Sequence, residues 1–377
     1  MTTTLTAAEG LKFDLLAEGL AISSQAAELL AAVNHGRPLT PADYASTSGV
    51  ILQLPDDTWV NAPIAAHNAN FVLTPRHELG VEGDRLVVRT GDRATPVRFW
   101  LPPAWHGEAN GDGEPYNSYA FMHADRVRIS PIEGCAFTCR FCDLPYEFRY
   151  RNKRLDGLLD VVDVALNDPV QPAYHVLISG GTPRPEDYDY VRSVYREVIS
   201  GFPGVPVDIM MVPIADVMDP VWLAELGVAE ISVNLEVWGL EAARALMPRK
   251  HKQGREYYLD YLARAAGVLG GSRVRSMLML GLEPLEDTLA GVEAIAELGC
   301  TPVLSPFRPD PSTPLRDHPV PTAEFMLEAY SRALEITRRH GVALGPACRP
   351  CAHNTLSLST VTGNGDASMS HGAPRTV

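Results

Sequence analysis

The chain has 377 residues, of which 46% are hydrophobic and 21% are charged, as in an ordinary globular protein. Its formal net charge of -14 argues against a nucleic-acid partner, because binding a phosphate backbone requires a basic surface. No apolar run is long enough to span a membrane, so we expect no membrane association. Met1 to Ala8 lack the basic and apolar regions of a signal peptide. We therefore expect a cytoplasmic protein whose six cysteines are reduced thiols or metal ligands.

The N-terminal part does not alternate strands and helices regularly, and we predict a small α+β extension over residues 1–115. Apolar residues at helical spacing predict one helix from Leu15 to Val33. Strand-like segments follow at Ser48 to Leu54, Arg85 to Arg89 and Pro96 to Trp100. The Gly-, Asn- and Asp-rich stretch from Gly107 to Pro115 marks the end of this extension.

From Asp125 onward, strands and helices alternate in six successive units. Such repeats predict a parallel sheet covered by helices, and right-handed crossovers curl it into a partial (β/α)6 barrel of the TIM type. We assign this barrel to residues 116–358 and a disordered tail to residues 359–377, which are rich in Gly, Ser and Thr. The predicted strands are Arg126 to Ile132, His175 to Ser179, Val207 to Val212, Glu230 to Leu235, Val274 to Leu280 and Pro302 to Pro306, with a last short strand at Val342 to Leu344.

The first barrel strand runs directly into a loop that carries Cys135, Cys139 and Cys142 in a C-x3-C-x2-C spacing. Three thiolates from one short loop can hold three irons of a 4Fe–4S cluster and leave the fourth iron open. A structural zinc site usually has four ligands in two pairs, and a ferredoxin has C-x2-C pairs with a fourth cysteine close by. The spacing therefore favours an open-iron cluster. A non-catalytic iron–sulfur or zinc protein that uses the same loop stays as an alternative.

This spacing, with an aromatic residue before the last cysteine, resembles the signature of the radical S-adenosylmethionine (SAM) superfamily. The resemblance spans about Asp125 to Leu358, and its later segments are most similar to the biotin synthase and lipoyl synthase branch. It implies that the open iron chelates SAM and that one electron splits SAM into methionine and a 5′-deoxyadenosyl radical. The radical would then take a hydrogen atom from a small substrate, for which an anionic compound is one option. A low-potential electron donor such as flavodoxin or ferredoxin is the implied partner.

Ligands gather at the carboxyl ends of the strands in parallel α/β architectures, and the first two ends carry candidate cofactor residues. The resemblance implies that Phe141 lies against adenine; the alternative is a buried aromatic residue that supports the loop. Gly180-Gly181-Thr182 resembles the family motif that binds the amino group of SAM, and glycines permit a close backbone approach. The family often has Glu where this chain has Thr182, which leaves only the backbone role intact.

Two later strand ends carry further candidates. Asn234 and Glu236 lie on the same side of the fourth strand, and they resemble a stretch that contacts the ribose and methionine end of SAM. The alternative is a strand end that hydrogen-bonds to its own loop. Gly281, after the fifth strand, resembles a segment whose backbone supports adenine. Arg308, after the sixth strand, could anchor an anionic group or be a surface arginine. The basic run from Arg249 to Lys252 is interpreted mainly as a solvated loop and helix start.

Cys348 and Cys351 form a C-x2-C pair after the last predicted strand, and we expect the pair at the same end as the SAM site. It could ligate an auxiliary iron–sulfur cluster, completed by His353, another side chain or substrate; otherwise it is a reduced structural pair or a redox-active pair. Cys300 precedes the sixth strand, roughly 15 Å away at ~3.3 Å per residue, and we expect a buried thiol there. A second cluster would favour sulfur insertion of the biotin or lipoyl synthase type. Without it, a rearrangement, lyase or redox outcome is preferred.

Overall fold

The computed structural model of the chain describes residues 5–34, 36–40, 49–64 and 74–358, so the predicted tail at residues 359–377 lies outside the described residues. The main element is a seven-stranded sheet that curls into a half-barrel, which confirms the predicted partial barrel of the TIM type. Six of these strands run parallel, and an antiparallel strand lies at one edge.

The helices and strands of the described residues have the following bounds. The helices are α1 (Ala7–Glu18), α2 (Ser24–Val33), α3 (Leu144–Glu147), α4 (Leu155–Leu166), α5 (Tyr188–Gly201), α6 (Pro220–Leu226), α7 (Leu240–Leu246), α8 (Pro248–Gln253), α9 (Arg255–Leu269), α10 (Leu285–Glu297) and α11 (Ala323–His340). The strands are β1 (Ala21–Ile22), β2 (Gly49–Leu54), β3 (Thr58–Pro63), β4 (His77–Glu82), β5 (Arg85–Thr90), β6 (Arg93–Pro96), β7 (Arg98–Phe99), β8 (Ala120–His123), β9 (Arg126–Ile129), β10 (Ile132–Glu133), β11 (Arg151–Asn152), β12 (His175–Ser179), β13 (Val207–Met210), β14 (Glu230–Ser232), β15 (Val274–Leu280) and β16 (Thr301–Pro306).

The half-barrel has the strand order β16-β15-β14-β13-β12-β9-β8. Side chains alternate between its two faces, as a strand requires. On β9, Val127 and Ile129 are buried in the core, whereas Arg126 and Arg128 between them are only partly buried. On β15, the core residue Leu278 likewise separates partly buried neighbours, Met277 and Met279. The convex face is thus sealed by helices, and the concave face lines a partly open interior.

Local signals fix where several barrel helices begin and end. The Asp219 carboxylate accepts a hydrogen bond from the Trp222 N–H and begins α6, and Thr322 does the same for α11 through the Phe325 N–H. Gly341 ends α11 in the left-handed conformation, φ 68°, which glycine adopts without a side-chain penalty. These caps set where α6 and α11 begin and where α11 ends, and each helix follows a strand of the half-barrel after an intervening loop.

Three sequence predictions differ from the structure. The helix predicted from Leu15 to Val33 is two helices, because the chain turns at Gly19 (φ 67°), pairs through β1 and restarts at the Ser23 cap. The antiparallel strand β8 was not predicted; it pairs with β9 across a turn in which Ala124 has a φ of 57°. The last predicted strand, Val342 to Leu344, is absent from the described elements, and only Gly345 forms an isolated bridge with β16.

The N-terminal extension is an α+β unit of two small sheets, β1-β4-β5-β6 and β3-β2-β7, with helices α1 and α2. Buried polar contacts join it to the barrel. The Lys12 ammonium group donates to the Ala352 carbonyl at 2.9 Å and to the Ser357 carbonyl at 2.7 Å. The Arg308 guanidinium donates to the side chain and the carbonyl of Asn61 at 2.9 and 2.5 Å. Among the described residues, no helix is long and apolar enough to cross a membrane.

The contact at Lys12 predicts a pH dependence of stability. Burial lowers the pKa of Lys12 to about 7, so above pH 7 the unfolded chain holds a proton that the folded chain has released. Stability from this group therefore rises with pH across the range from 7 to 9. We expect the difference in unfolding free energy between wild type and Lys12→Met to shift in favour of the wild type by at most about 1.4 kcal/mol per pH unit.

Anaerobic urea unfolding at pH 6, 7, 8 and 9 measures this difference. Lys252→Met is the matched control, because Lys252 is exposed, and its difference from the wild type should stay flat over the same range. A Lys12→Met difference that is independent of pH would contradict the assignment of a neutral buried amine.

Candidate functional site

The cysteine loop follows β9 and β10 and is held in place by a glycine. Gly134 has a φ of 68°, and an added Cβ would lie 2.9 Å from the Phe148 carbonyl oxygen and 3.0 Å from the Tyr150 backbone nitrogen. Only glycine combines this conformation with such a close approach. Directly before Cys135, the loop therefore packs closely against the backbone of Phe148 to Tyr150.

The predicted glycine motif packs directly on the cysteine loop. An added Cβ on Gly181 would lie 1.7 Å from the Gly134 carbonyl oxygen, and one on Gly180 would lie 1.9 Å from Ser130 Oγ. Behind the glycines, the Thr182 carbonyl accepts a hydrogen bond from the Ala136 N–H at 2.9 Å. The end of β12 and the loop after β9 are therefore joined backbone to backbone.

Two backbone donors point at the first cysteine. The Thr182 N–H donates to Cys135 Sγ at 3.1 Å, and the Phe137 N–H donates to the same sulfur at 3.3 Å. Hydrogen bonds of this kind stabilise a thiolate and are a means by which proteins tune sulfur ligands of iron. At Thr182 the interaction uses the backbone, so it does not depend on the side chain at that position.

Cys139 is the most deeply buried of the three cysteines. Cys139 packs in an apolar group with Val237, Leu282 and Phe307, which follow β14, β15 and β16. Phe141 packs on this same group, as the supporting-aromatic alternative expects; its contact with adenine stays a prediction. Burial, with a smaller contribution from the charge of Glu236, raises the pKa of the Cys139 thiol to about 12.

The cysteine environment fits a metal cluster. Burial, then the charge of Asp143, also raises the pKa of the Cys142 thiol, so neither buried thiol loses its proton readily without a nearby positive charge. Iron ions supply that charge and displace the protons. The three sulfur atoms are not among the described ligand groups whose atoms all lie within 4.8 Å of one another.

Asn234 and Glu236 lie beside the cysteine loop and are already engaged by protein groups. Asn234 Oδ1 accepts hydrogen bonds from Ser232 Oγ at 2.8 Å and from the Met277 N–H at 3.2 Å. Glu236 adopts a φ of 64°, and its carboxylate pairs with the Lys250 ammonium group at 2.6 Å. Asn234 thus supports its own strand end. The cofactor roles of both residues stay predictions.

Lys250 is a site residue that the sequence analysis missed. It lies in α8, is 9% exposed, and its ammonium group also donates to the Asn234 carbonyl at 3.2 Å. Burial is the largest effect and opposes its charge, but Glu236 together with smaller contributions from Tyr258 and Cys139 raises the pKa of Lys250. The basic run from Arg249 to Lys252 indicated a solvated segment, and no local pattern distinguishes the one lysine that turns inward to a partner 14 residues earlier.

Gly281 and Arg308 lie at the ends of the last two strands. Gly281 has a φ of 94°, and its carbonyl contacts His318 Nε2 at 2.8 Å. Arg308 is not a surface residue, since it is 8% exposed and bonded to Asn61 of the extension. Burial lowers the pKa of its guanidinium to about 9. The adenine contact of Gly281 and the anion contact of Arg308 stay predictions.

Positive charge lines the interior of the half-barrel along β9, from Arg126 at the amino end to Arg128 nearer the cysteine loop. Arg126 and Arg128 project from the concave side of β9, and Arg126 Nε is buried without a hydrogen-bond partner among the described residues. Burial lowers the pKa of the Arg128 guanidinium, opposed by the Asp143 carboxylate. Both ring nitrogens of His353, which is 2% exposed, also lack hydrogen-bond partners within the described part of the chain.

The second cysteine pair lies at the opposite end from the one we expected. Cys351 Sγ is 3.4 Å from Nε2 of His175, the first residue of β12, whereas the glycine motif follows the last residue of that strand. At ~3.3 Å per residue, the length of β12 puts roughly 13 Å between the two ends. The prediction failed because the C-terminal segment, residues 345–358 with a short 3-10 helix at Pro350–Asn354, returns to the amino end of the barrel. Cys300 is buried and contacts the Leu262 and Leu298 carbonyls instead of this pair.

Comparison with known proteins gives likenesses of structure only. No protein-family model and no curated protein matches the chain. Similar solved structures are the FeFe-hydrogenase maturase HydG from Carboxydothermus hydrogenoformans (16% identity, TM-score 0.47, 59% of this chain and 54% of that chain), a radical SAM methyltransferase from Sphaerobacter thermophilus (19%, 0.47, 72% and 76%) and Streptococcus suis SuiB bound to S-adenosylmethionine (15%, 0.45, 62% and 53%). The chain spans about half the length of the maturase and of SuiB. At these scores the likenesses carry no argument about activity, which is inferred from the chain's own residues.

The close contact at Gly181 predicts a specific loss of iron. A methyl group there would collide with the Gly134 carbonyl and push the Thr182 N–H away from Cys135. We expect Gly181→Ala to reduce reconstituted iron and sulfide by at least about half, because a displaced ligand loop holds its cluster poorly. Gly267→Ala in α9 is the matched control, since nothing lies within 4 Å of its added Cβ. Equal iron contents in the two variants would show that the contact does not position the loop.

Proposed function

We propose that the chain is a radical SAM enzyme that acts on a small, anionic molecule in the half-barrel. The observation that carries the proposal is the cysteine loop itself. Three cysteines on one loop offer three ligands, two backbone N–H groups stabilise the sulfur of Cys135, and the strand ends that the resemblance connects with SAM surround them.

Cys135, Cys139 and Cys142 would hold a 4Fe–4S cluster, and SAM would bind at its open iron. When bound, the cluster and SAM would together supply one-electron cleavage of SAM to a 5′-deoxyadenosyl radical that takes a hydrogen atom from substrate. The protein's part is to bind, orient and exclude water. A low-potential donor such as flavodoxin or ferredoxin is the proposed source of the electron.

The chain's own residues suit the tasks of binding, orienting and excluding water. The apolar group around Cys139 keeps water from the buried side of the loop. The Lys250–Glu236 pair places a fixed positive and a fixed negative group beside Cys139, and both side chains are largely buried. Phe141, the backbone of Gly180 to Thr182, Asn234 and Gly281 are the proposed contacts of SAM.

The proposed substrate class follows from charge. Arg126 and Arg128 lie two residues apart on the concave side of β9, and Arg128 faces Asp143 of the cysteine loop. Arg126 pairs with His175 at the amino end, where nitrogens of Arg126 and His353 that lack partners among the described residues are buried. Buried polar groups without partners are costly, so a ligand that supplies oxygen acceptors would be favoured. A carboxylate or phosphate matches the arginine guanidinium geometry.

Sulfur insertion of the biotin or lipoyl synthase type is the second candidate from the sequence. It requires a sulfur donor, for which an auxiliary cluster at Cys348 and Cys351 is the only source the sequence offers. The ligand atoms around this pair lie within 4.8 Å of one another, which is compact for a cluster that divides its ligands between irons. A rearrangement, lyase or redox outcome is therefore preferred.

The enzyme proposal predicts a measurable product. Anaerobic reconstitution with iron, sulfide, SAM and dithionite should yield 5′-deoxyadenosine from the wild type. Cys142→Ala should lower the yield by at least about 100-fold, because the cluster loses a ligand. Cys300→Ala is the matched control and should keep the wild-type yield, since Cys300 lies in the core away from the loop. A loaded wild-type protein that makes no 5′-deoxyadenosine would favour the non-catalytic iron–sulfur alternative.

The anionic-substrate proposal predicts stabilisation by small anions. Phosphate and succinate should raise the melting temperature of the wild type more than chloride at equal ionic strength, because a ligand of the folded state stabilises it by mass action. In Arg128→Met this excess should fall to near zero, whereas Arg249→Met should keep it, since Arg249 is exposed. Differential scanning fluorimetry measures the shift. An equal excess in both variants would place the anion elsewhere.

A further inference from the structure

Four potential ligands meet at the amino end of the half-barrel, opposite the cysteine loop. They are Asp125, which precedes β9; His175, which begins β12; and Cys348 and Cys351 of the C-terminal segment. One ligand atom from each lies within 4.8 Å of all the others. Asp125, His175 and Cys351 are at most 4% exposed, and Cys348 is partly buried.

The distances between these atoms match the edges of a coordination tetrahedron. Cys351 Sγ is 3.4 Å from His175 Nε2 and 3.6 Å from Asp125 Oδ1. Cys348 Sγ is 3.8 Å from Asp125 Oδ1, and His175 Nε2 is 3.5 Å from the same oxygen. Zinc bonds of about 2.0–2.3 Å give a regular tetrahedron with edges of roughly 3.3–3.8 Å. The four atoms are therefore spaced as the ligands of one ion.

A second layer of charged groups orients the histidine. His175 directs Nε2 toward the other three ligands, and its Nδ1 faces the Asp208 carboxylate at 3.7 Å. Asp208 is held by the Arg275 guanidinium at 3.3 Å, and Arg275 also pairs with Glu230. A carboxylate behind a histidine is the usual arrangement at zinc sites, where it fixes the ring and its tautomer. The residues behind the histidine are evidence independent of the cysteines, and they identify His175 Nε2 as the ligand atom.

We propose that Asp125, His175, Cys348 and Cys351 bind one divalent zinc ion in a closed, tetrahedral, structural site. Two sulfurs and one imidazole nitrogen select zinc among the common divalent ions, and four protein ligands leave no open position for catalysis. An iron–sulfur cluster would split the ligands into pairs on different irons and hold the pairs further apart than observed. Asp125 and His175 thus complete the site in place of His353, which the sequence analysis offered as a ligand. His353 packs on His123 at 6.2 Å between ring centroids and lies outside the group.

The ion would fasten the C-terminal segment to the barrel. Cys348 and Cys351 come from this segment, whereas Asp125 directly precedes β9 and His175 begins β12, the first two parallel strands of the sheet. The same segment receives Lys12 from the N-terminal extension at Ala352 and Ser357. The site therefore lies where the extension, the barrel and the C-terminal segment meet, and it does not depend on the proposed radical chemistry.

The test separates this site from the cysteine loop. The full-length chain carrying Cys135→Ala, Cys139→Ala and Cys142→Ala is purified, exposed to Zn²⁺ alone, desalted and analysed for metal and acid-labile sulfide. We expect about one zinc ion per chain and no sulfide. Adding Cys351→Ser should remove the zinc, whereas adding Cys300→Ser should leave it in place, because Cys300 is a buried cysteine outside the group.

Two measurements keep the proposal testable if the Cys351 variant does not fold. Asp208→Asn leaves all four ligands in place and should weaken zinc binding about 10- to 100-fold in competition with a chelator. Co²⁺ bound to the triple variant should show the intense visible bands of a tetrahedral site with thiolate ligands. Iron with sulfide that is lost with Cys351 would establish an auxiliary cluster and overturn the proposal. A chain that retains neither zinc nor cobalt would overturn it as well. Neither result bears on 5′-deoxyadenosine formation, which tests the radical function.

Discussion

The site depends on the contact between two backbones, at Gly134-Cys135 and at Gly180 to Thr182. The approach is so close that a single methyl group on Gly181 would collide with the Gly134 carbonyl oxygen at 1.7 Å. Because no side chain separates the segments, the Thr182 N–H reaches Cys135 Sγ. The contact also joins the ends of β9 and β12, which are neighbours in the sheet, so the position of the loop is set by the strand pairing beneath it. A ligand loop fixed by rigid strands holds its sulfurs more reproducibly than a loop supported by side chains alone.

The second constraint is the pairing of charged side chains that are buried in the half-barrel. Charges removed from water need partners, and a half-barrel with a polar interior has to supply them layer by layer. Near the carboxyl ends, Lys250 and Glu236 neutralise each other. At the amino ends, Arg275 is held between Asp208 and Glu230. On β9, Arg128 brings positive charge to the concave face between these layers, whereas Arg126 pairs with His175 and lies level with the amino-end layer. Arg126 Nε has no hydrogen-bond acceptor within the described residues. Arg128 is therefore the charged group placed to meet a substrate near the cysteine loop.

Sequence predicts the parts of this molecule that are determined locally. The bounds of α4, β12 and β15 follow from periodicity and turn residues, and the cysteine spacing needs no tertiary information. The errors concern contacts between distant segments. Cys351 was expected near the SAM site, because nothing near it in sequence records that the chain returns beneath β12 to reach His175. Lys250 was assigned to a solvated run, since its partner Glu236 belongs to another element. One signal was available: polar residues recur at the first or second position of successive strands, including His175, Asp208 and Arg275, and such a row marks an interior layer.

The two proposed sites lie at opposite ends of the barrel, the cluster site for chemistry and the zinc site for stability. In parallel barrels the carboxyl end carries catalytic loops and the amino end carries stabilising contacts. The cysteine loop supplies three ligands, so it would leave one position of the proposed cluster open, and it lies among glycines and partly buried side chains. The group at Asp125 and His175 supplies four ligands to one point and is enclosed by a charged second layer, which suits an ion that never exchanges ligands. Cysteine residues would thus serve catalysis at one end and stability at the other. The number of protein ligands at each site, three or four, decides which role the site has.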